Sequence, residues 1–105
     1  MSTTLAAVEA LAEIVEGSDR PSALHHITVS IAAAERHAEA TGRPERFGQM
    51  RSRFTPAQVF VGLSTVAGRE GDRHAARAYE ALARVAQRHE ITWAEVDAAA
   101  KGARR

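Results

Sequence analysis

The sequence predicts an all-α fold, a compact bundle of four main helices and a short C-terminal helix, with a basic loop between helices 2 and 3. Apolar residues recur at intervals of three and four along most of the chain, whereas no segment alternates between apolar and polar residues over a useful length. Two capping-box sequences, which start at Thr55 and Thr92, mark the beginnings of helices. The 105 residues are enough for a single domain with one core.

The first helix is expected from about Thr4 to Glu16, and Gly17 occupies the position after a helix end where glycine is favoured. Its apolar face contains Leu5, Val8, Leu11, Ala12 and Val15. Beside that face, Glu9, Glu13 and Glu16 form an acidic stripe. This stripe is a surface to which basic side chains of the bundle, or of a second copy of the chain, can pair.

The second helix is expected from Pro21 to Thr41, because proline is favoured in a first helical turn and Gly42 follows the last one. Its apolar residues step by three and four positions and form one regular seam. They are Leu24, Ile27, Ile31, Ala34 and Ala38. The small side chains of the alanines allow a neighbouring helix to approach closely.

Helices 3 and 4 begin at the Thr55 and Asp72 N-caps, and a tight connection over residues 68–71 separates them. Each helix has one apolar face with the 3.6-residue period. The inward residues of helix 3 are Val59, Phe60, Leu63, Val66 and Ala67, and those of helix 4 are Ala75, Tyr79, Leu82, Val85 and Ala86. The pattern predicts that both helices bury these faces in the same core.

The fifth helix is expected to be short, running from Trp93 to about Ala100 after the Thr92 N-cap. The basic segment that follows, residues 101–105, is expected to fray as a terminal tail. Trp93 and Phe54 lie at helix starts, where their large side chains are expected to complete the core. Such residues matter because the chain has 23 alanines but only 20 leucine, isoleucine, valine and phenylalanine residues combined.

The composition excludes several classes of protein. A formal net charge of +1 is unlike the strongly charged composition of disordered chains. Because the chain has no cysteine, it has no disulfide, no thiolate nucleophile and no cysteine-ligated metal. No apolar run approaches the roughly 18 residues of a membrane-spanning helix, and the N-terminus lacks the features of a secretion signal. We therefore expect a cytoplasmic protein that does not contact membranes.

The segment between helices 2 and 3, residues 42–54, is the basic connecting loop of the predicted fold, because Pro44 and Gly48 interrupt its helical spacing. A short helical turn is the alternative. Its arginines are Arg43, Arg46, Arg51 and Arg53. Large apolar side chains flanked by arginine are typical of protein interfaces. For Phe47 and Met50, a place in the core is the alternative. The candidate interface residues are Phe47, Met50, Arg46 and Arg51.

Helix 4 has a second basic feature, a stripe of four arginines within about 80° of its circumference. They are Arg73, Arg77, Arg84 and Arg88. Together with Arg43 and Arg53, this stripe supports the alternative hypothesis of nonspecific nucleic-acid binding through phosphate contacts. Glu80 interrupts the stripe, and the nearly neutral chain lacks the strong positive charge typical of such proteins. The simpler interpretation is a solvated stripe, or one paired with the acidic stripe of helix 1.

No combination of residues predicts a cofactor, a metal site or a catalytic residue. Of the five histidines, His26 and His37 share one flank of helix 2 but lie roughly 16 Å apart along it, too far to bind one ion. No nucleophile is paired with a base in a recognisable motif. The sequence therefore favours a small helical protein-interaction or adaptor module over an enzyme. Its partner is an unidentified protein or a second copy of the chain in a homodimer.

Overall fold

Six helical segments form the structure, a computed structural model that describes residues 12–103 apart from the side chains of Pro44 and Ala103. The described part of the first segment, α1, begins at residue 12, and the helix ends at residue 16. The others are α2 (Arg20–Ala40), α3 (Pro44–Arg53), α4 (Pro56–Arg69), α5 (Arg73–Arg88) and α6 (Trp93–Ala103). No strand occurs between residues 12 and 103, so the prediction of an all-α fold is confirmed.

The helix α3 corrects the prediction of a connecting loop over residues 42–54. Its sequence suits a helix at both ends, because Glu45 lies in the first turn and Arg51 and Arg53 lie in the last, where their charges complement the helix dipole. Gly42 has a φ of 73° and turns the chain between α2 and α3. The predicted count of four main helices and one short one therefore omits a helix.

Both predicted capping boxes are present. At the start of α4, the Gln58 N–H donates to the Thr55 hydroxyl at 3.3 Å, and the Thr55 N–H donates to the Gln58 side-chain oxygen at 3.0 Å. At the start of α6, the Glu95 N–H donates to the Thr92 hydroxyl and the Thr92 N–H donates to the Glu95 carboxylate, both at 3.2 Å. These reciprocal bonds satisfy amides that a helix start leaves without intrahelical partners.

The end of α6 differs from the prediction of a tail that frays from Lys101. The helix continues through that residue to Ala103. A lysine in the last turn of a helix is favourable, because its charge complements the negative end of the helix dipole. Residues 104–105 of the predicted tail lie outside the described residues, as do residues 4–11 of the predicted first helix.

One apolar core joins all six helical segments. It contains Val15, Ala23, Ile27, Ile31, Ala34, Phe47, Val59, Phe60, Leu82, Ala83, Val85, Ala86, Ile91 and Val96. Phe47 is only 7% exposed, so this candidate interface residue lies in the core, the alternative that the sequence leaves open. Phe54, which is expected in the core, is instead 47% exposed, whereas Trp93 packs against the core as expected.

The helices α4 and α5 form an antiparallel hairpin across a three-residue connection. The Ser64 hydroxyl of α4 donates to the Ala76 carbonyl of α5 at 2.8 Å, which ties the two helices near this connection. Deeper in the pair, the rings of Phe60 and Tyr79 stack with centroids 6.2 Å apart. The radius of gyration of 13.3 Å is that of a single compact domain of about 100 residues.

Candidate functional site

A groove with a volume of about 400 Å³ opens between α3 and the C-terminal halves of α2 and α4. We name it the basic groove. Its lining residues are Ala34, His37, Ala38 and Thr41 from α2 and its C-cap, Arg43, Arg46, Phe47 and Met50 from α3 and its N-cap, and Leu63, Val66 and Glu70 from α4 and its C-cap. Val66 is 49% exposed although it is apolar, so the groove presents hydrophobic surface to solvent.

The spacing of residues on α3 explains how the groove is built. Arg43, Arg46, Phe47 and Met50 occupy positions i, i+3, i+4 and i+7, so they follow one face of the helix. Phe47 inserts into the core and fixes this face toward α2 and α4. Met50 reaches α4 at Gly62, where an added Cβ would lie 3.2 Å from the Met50 methyl carbon. The absence of a side chain at Gly62 therefore permits the close approach of α3.

Basic side chains dominate the rim of the groove. Arg43, Arg46 and His37 are exposed there, against a single acidic residue, Glu70. Neither arginine forms an ion pair with any residue that the structure describes. The rim therefore offers two unneutralised guanidinium groups beside an apolar floor, an arrangement that favours carboxylates flanking an apolar side chain.

Arg51, a predicted interface residue, connects three helices instead of lining the basic groove. Its guanidinium donates to both carboxylate oxygens of Asp97 in α6, at 2.8 and 2.9 Å, and to Glu35 in α2 at 3.2 Å. It also lies over the indole of Trp93, with its central carbon 4.3 Å from the ring centroid. The contacts of Arg51 hold α3 against α2 and α6 and thereby position the neighbouring face of α3, which lines the groove.

Trp93 also supports the C-terminal end of α3. Its indole N–H donates to the carbonyl of Phe54, the C-cap of α3, at 2.7 Å. This bond satisfies a carbonyl at the end of a helix, where intrahelical partners are missing. The backbone of Phe54, not its exposed side chain, therefore makes the contact with α6.

A second ion pair fastens α6 to the start of α2. The Arg20 guanidinium donates to both carboxylate oxygens of Glu95, at 2.5 and 2.9 Å, and to the carbonyl of His89 at 3.2 Å. The hydrogen bonds from Arg20, more than any other interaction, hold the pKa of Glu95 at about 2 against burial, which acts in the opposite direction. Asp97, which binds Arg51, is also on α6. The Arg20–Glu95 pair therefore stabilises the helix to which Arg51 is bound.

The arginines proposed for nucleic-acid binding lie on different parts of the structure. Those of α5, namely Arg73, Arg77, Arg84 and Arg88, are exposed, and Arg53 is exposed at the end of α3. Arg84 pairs with the Glu16 carboxylate of α1, and Arg88 donates to the Glu16 carbonyl at 2.7 Å. Arg43, by contrast, belongs to the rim of the basic groove. Part of the stripe therefore contacts Glu16, one residue of the predicted acidic stripe.

The sequence pattern does not identify the residues that α4 contributes to the groove. Leu63 and Val66 are predicted as inward residues, yet Val66 is 49% exposed and Val61, on the other flank of α4, is 56% exposed. Residues five positions apart on a helix are about 140° apart, too far for both valines to face one core. An apolar arc this wide is the signal that α4 has more hydrophobic surface than the core can cover.

The described residues contain no metal centre. No group of three or more histidine, aspartate or glutamate side chains between residues 12 and 103 is placed to hold a metal ion. Within the same residues, no helix combines the length and apolar character needed to cross a bilayer. The basic groove is thus built from apolar and basic side chains without a cluster of metal-binding donors.

In comparisons with known proteins, no protein-family model, curated protein or solved structure matches this chain significantly.

Proposed function

We propose that this protein is a small helical adaptor that binds a segment of a partner protein in the basic groove. The observation that carries the proposal is the exposure of Val66 in a groove that Arg43 and Arg46 also line, neither of which forms an ion pair within residues 12–103. An apolar side chain of the partner would cover Val66 and Met50, while acidic residues on either side of it would pair with the arginines. The partner segment is therefore acidic and contains an apolar anchor residue.

The dimensions of the groove support one short segment as the ligand. A volume of about 400 Å³ accommodates a few side chains and is within the usual size of a recognition pocket. Its open shape and helical walls suit an amphipathic helix, which places anchors at intervals of three and four residues. Acidic flanks would speed association and select against basic segments.

The test uses a display library of linear peptides, selected on the wild-type protein alone. We expect retained peptides to contain an apolar residue flanked by aspartate or glutamate. A retained peptide should bind Val66→Glu roughly tenfold or more weakly, since the new carboxylate repels the acidic flanks and disrupts the apolar contact. Isothermal titration calorimetry measures this difference.

Val29→Glu is the matched control, because Val29 is 51% exposed on α2 and does not line the groove. It should bind the peptide as the wild type does. Circular dichroism should show the same helicity for both variants, since each adds a charge at a half-exposed valine. Peptides that bind Val66→Glu and wild type equally would overturn the proposal, and retained peptides without acidic residues would overturn its electrostatic part.

A further inference from the structure

The basic side chains of the basic groove belong to the part of the chain where α2 ends and α3 begins. Arg43 and Arg46 are three positions apart in the sequence, and both line the groove. His37, in the last turn of α2, lines it as well. All three side chains are exposed, and none forms an ion pair with a residue that the structure describes. Three groups that can donate hydrogen bonds therefore face the same space of about 400 Å³.

The surrounding charges do not neutralise this group. Glu70 is the one acidic residue among the described residues that line the groove. The other charged residues of the segments 36–46 and 69–73 do not line it, and basic and acidic residues are equal in number among them. They are Arg36, Arg69, Arg73, Glu39, Glu45 and Asp72. The groove therefore has a surplus of positive charge, which a bound anion would neutralise.

A phosphoryl group matches the three basic side chains more completely than a single carboxylate does. It has a charge of about −1.5 to −2 at pH 7 and three acceptor oxygens. A carboxylate has a single charge and two oxygens. Each of the three side chains can donate to a different phosphoryl oxygen, and arginine can do so with two parallel N–H groups. Clusters of arginine are a recurring means of recognising phosphorylated residues in proteins.

We infer, on the basis of the proposed function, that the partner segment is phosphorylated next to its apolar anchor and that Arg43, Arg46 and His37 bind the phosphoryl group. The anchor covers Val66 and Met50 in the same groove. This apolar surface favours a phosphorylated protein segment over a free phosphate ion, which would leave it exposed to water. Phosphorylation of the partner then switches its binding to the adaptor on.

Three peptide libraries with the same degenerate flanks test the inference. The central residue is phosphoserine in the first library, glutamate in the second and serine in the third. Immobilised wild-type protein should retain phosphoserine peptides with an apolar residue at a fixed distance from the phosphoserine. When a retained sequence is synthesised with each central residue, fluorescence polarisation should show that phosphoserine binds roughly tenfold more tightly than glutamate.

The libraries separate this inference from the proposed function. Retention of glutamate peptides with an affinity equal to that of their phosphoserine counterparts would overturn the inference and leave the proposed function intact. The absence of retained peptides from all three libraries would overturn both. If equal concentrations of inorganic phosphate, or of phosphatidic acid in vesicles, displaced a bound phosphopeptide, the phosphate would come from another source and the inference would be wrong.

Substitutions of arginine locate the phosphate. Arg43→Gln and Arg46→Gln should each remove most of the preference for phosphoserine over glutamate, because each removes one guanidinium from the phosphoryl group. Arg53→Gln is the matched control, since Arg53 is exposed on the same helix and does not line the groove. It should keep the preference of the wild type, and circular dichroism should show equal helicity for all three variants. An equal loss of preference in Arg53→Gln would place the phosphate outside the groove and overturn the inference.

Discussion

Arg51 illustrates how the surroundings of a single residue decide its role. Its side chain is only 28% exposed and contacts α2 and α6 through Glu35 and Asp97 and through the face of Trp93. A guanidinium can do all of this at once, because its planar faces stack while its edge donates hydrogen bonds. The sequence places Arg51 in a basic segment beside apolar residues but contains no signal for carboxylates 16 and 46 positions away.

We therefore expect Arg51→Lys to lower the free energy of unfolding by about 1 kcal/mol, because an ammonium group cannot stack on Trp93 while it donates to both carboxylates. Urea denaturation followed by circular dichroism measures the change. Arg46→Lys is the matched control, since Arg46 is exposed on the same helix and has no ion pair with the described residues. Its effect should stay within about 0.5 kcal/mol. Equal effects of the two substitutions would contradict a structural role for Arg51.

At the scale of the helix, α3 shows the limit of local sequence signals. Pro44 is favoured in a first helical turn and Glu45 suits the positive end of the dipole, yet Gly48 and a polar composition weaken the helical pattern. The helix forms because Phe47 enters the core and Arg51 reaches α2 and α6. Tertiary contacts that are distant in the sequence therefore override the weak local propensity.

Two glycines at α3 provide opposite tests of this interpretation. An added Cβ has no atom within 4 Å at either Gly42 or Gly48, so only backbone conformation distinguishes them. Gly48→Ala should raise the free energy of unfolding by about 0.5–1 kcal/mol, because alanine is favoured over glycine within a helix. Gly42→Ala should lower it by about 1 kcal/mol, because Gly42 has a φ of 73°. Urea denaturation of both variants measures the difference, and a gain in stability for Gly42→Ala would contradict the assigned turn.

The other helices were easier to predict because their signals are local. The capping boxes at Thr55 and Thr92 lie within four consecutive residues, and the N-cap bond of Asp72 to the Ala75 N–H likewise spans three positions. The periodicity of α2 also places Ile27 and Ile31 correctly in the core. The wide apolar arc of α4 indicates that the core cannot cover all of its hydrophobic surface, but periodicity alone does not identify Val61 and Val66 as the exposed residues.

At the scale of the whole molecule, α4 presents two exposed valines in different surroundings. Val66 lines the basic groove, whereas Val61 lies about 140° away around the helix and does not line it. Under the proposed function, the groove binds an acidic segment, and Val61 takes no part in that contact.

The separation of Val61 from the basic groove predicts that Val61→Glu leaves peptide binding unchanged. In isothermal titration calorimetry, a peptide selected for the basic groove should bind wild type and Val61→Glu with equal affinity, because Val61 does not line the groove. Arg46→Glu, which reverses a charge on the groove rim, should weaken binding in the same experiment. If Val61→Glu also weakened binding, its site would be coupled to the groove through α4 and the separation of the two valines would be wrong.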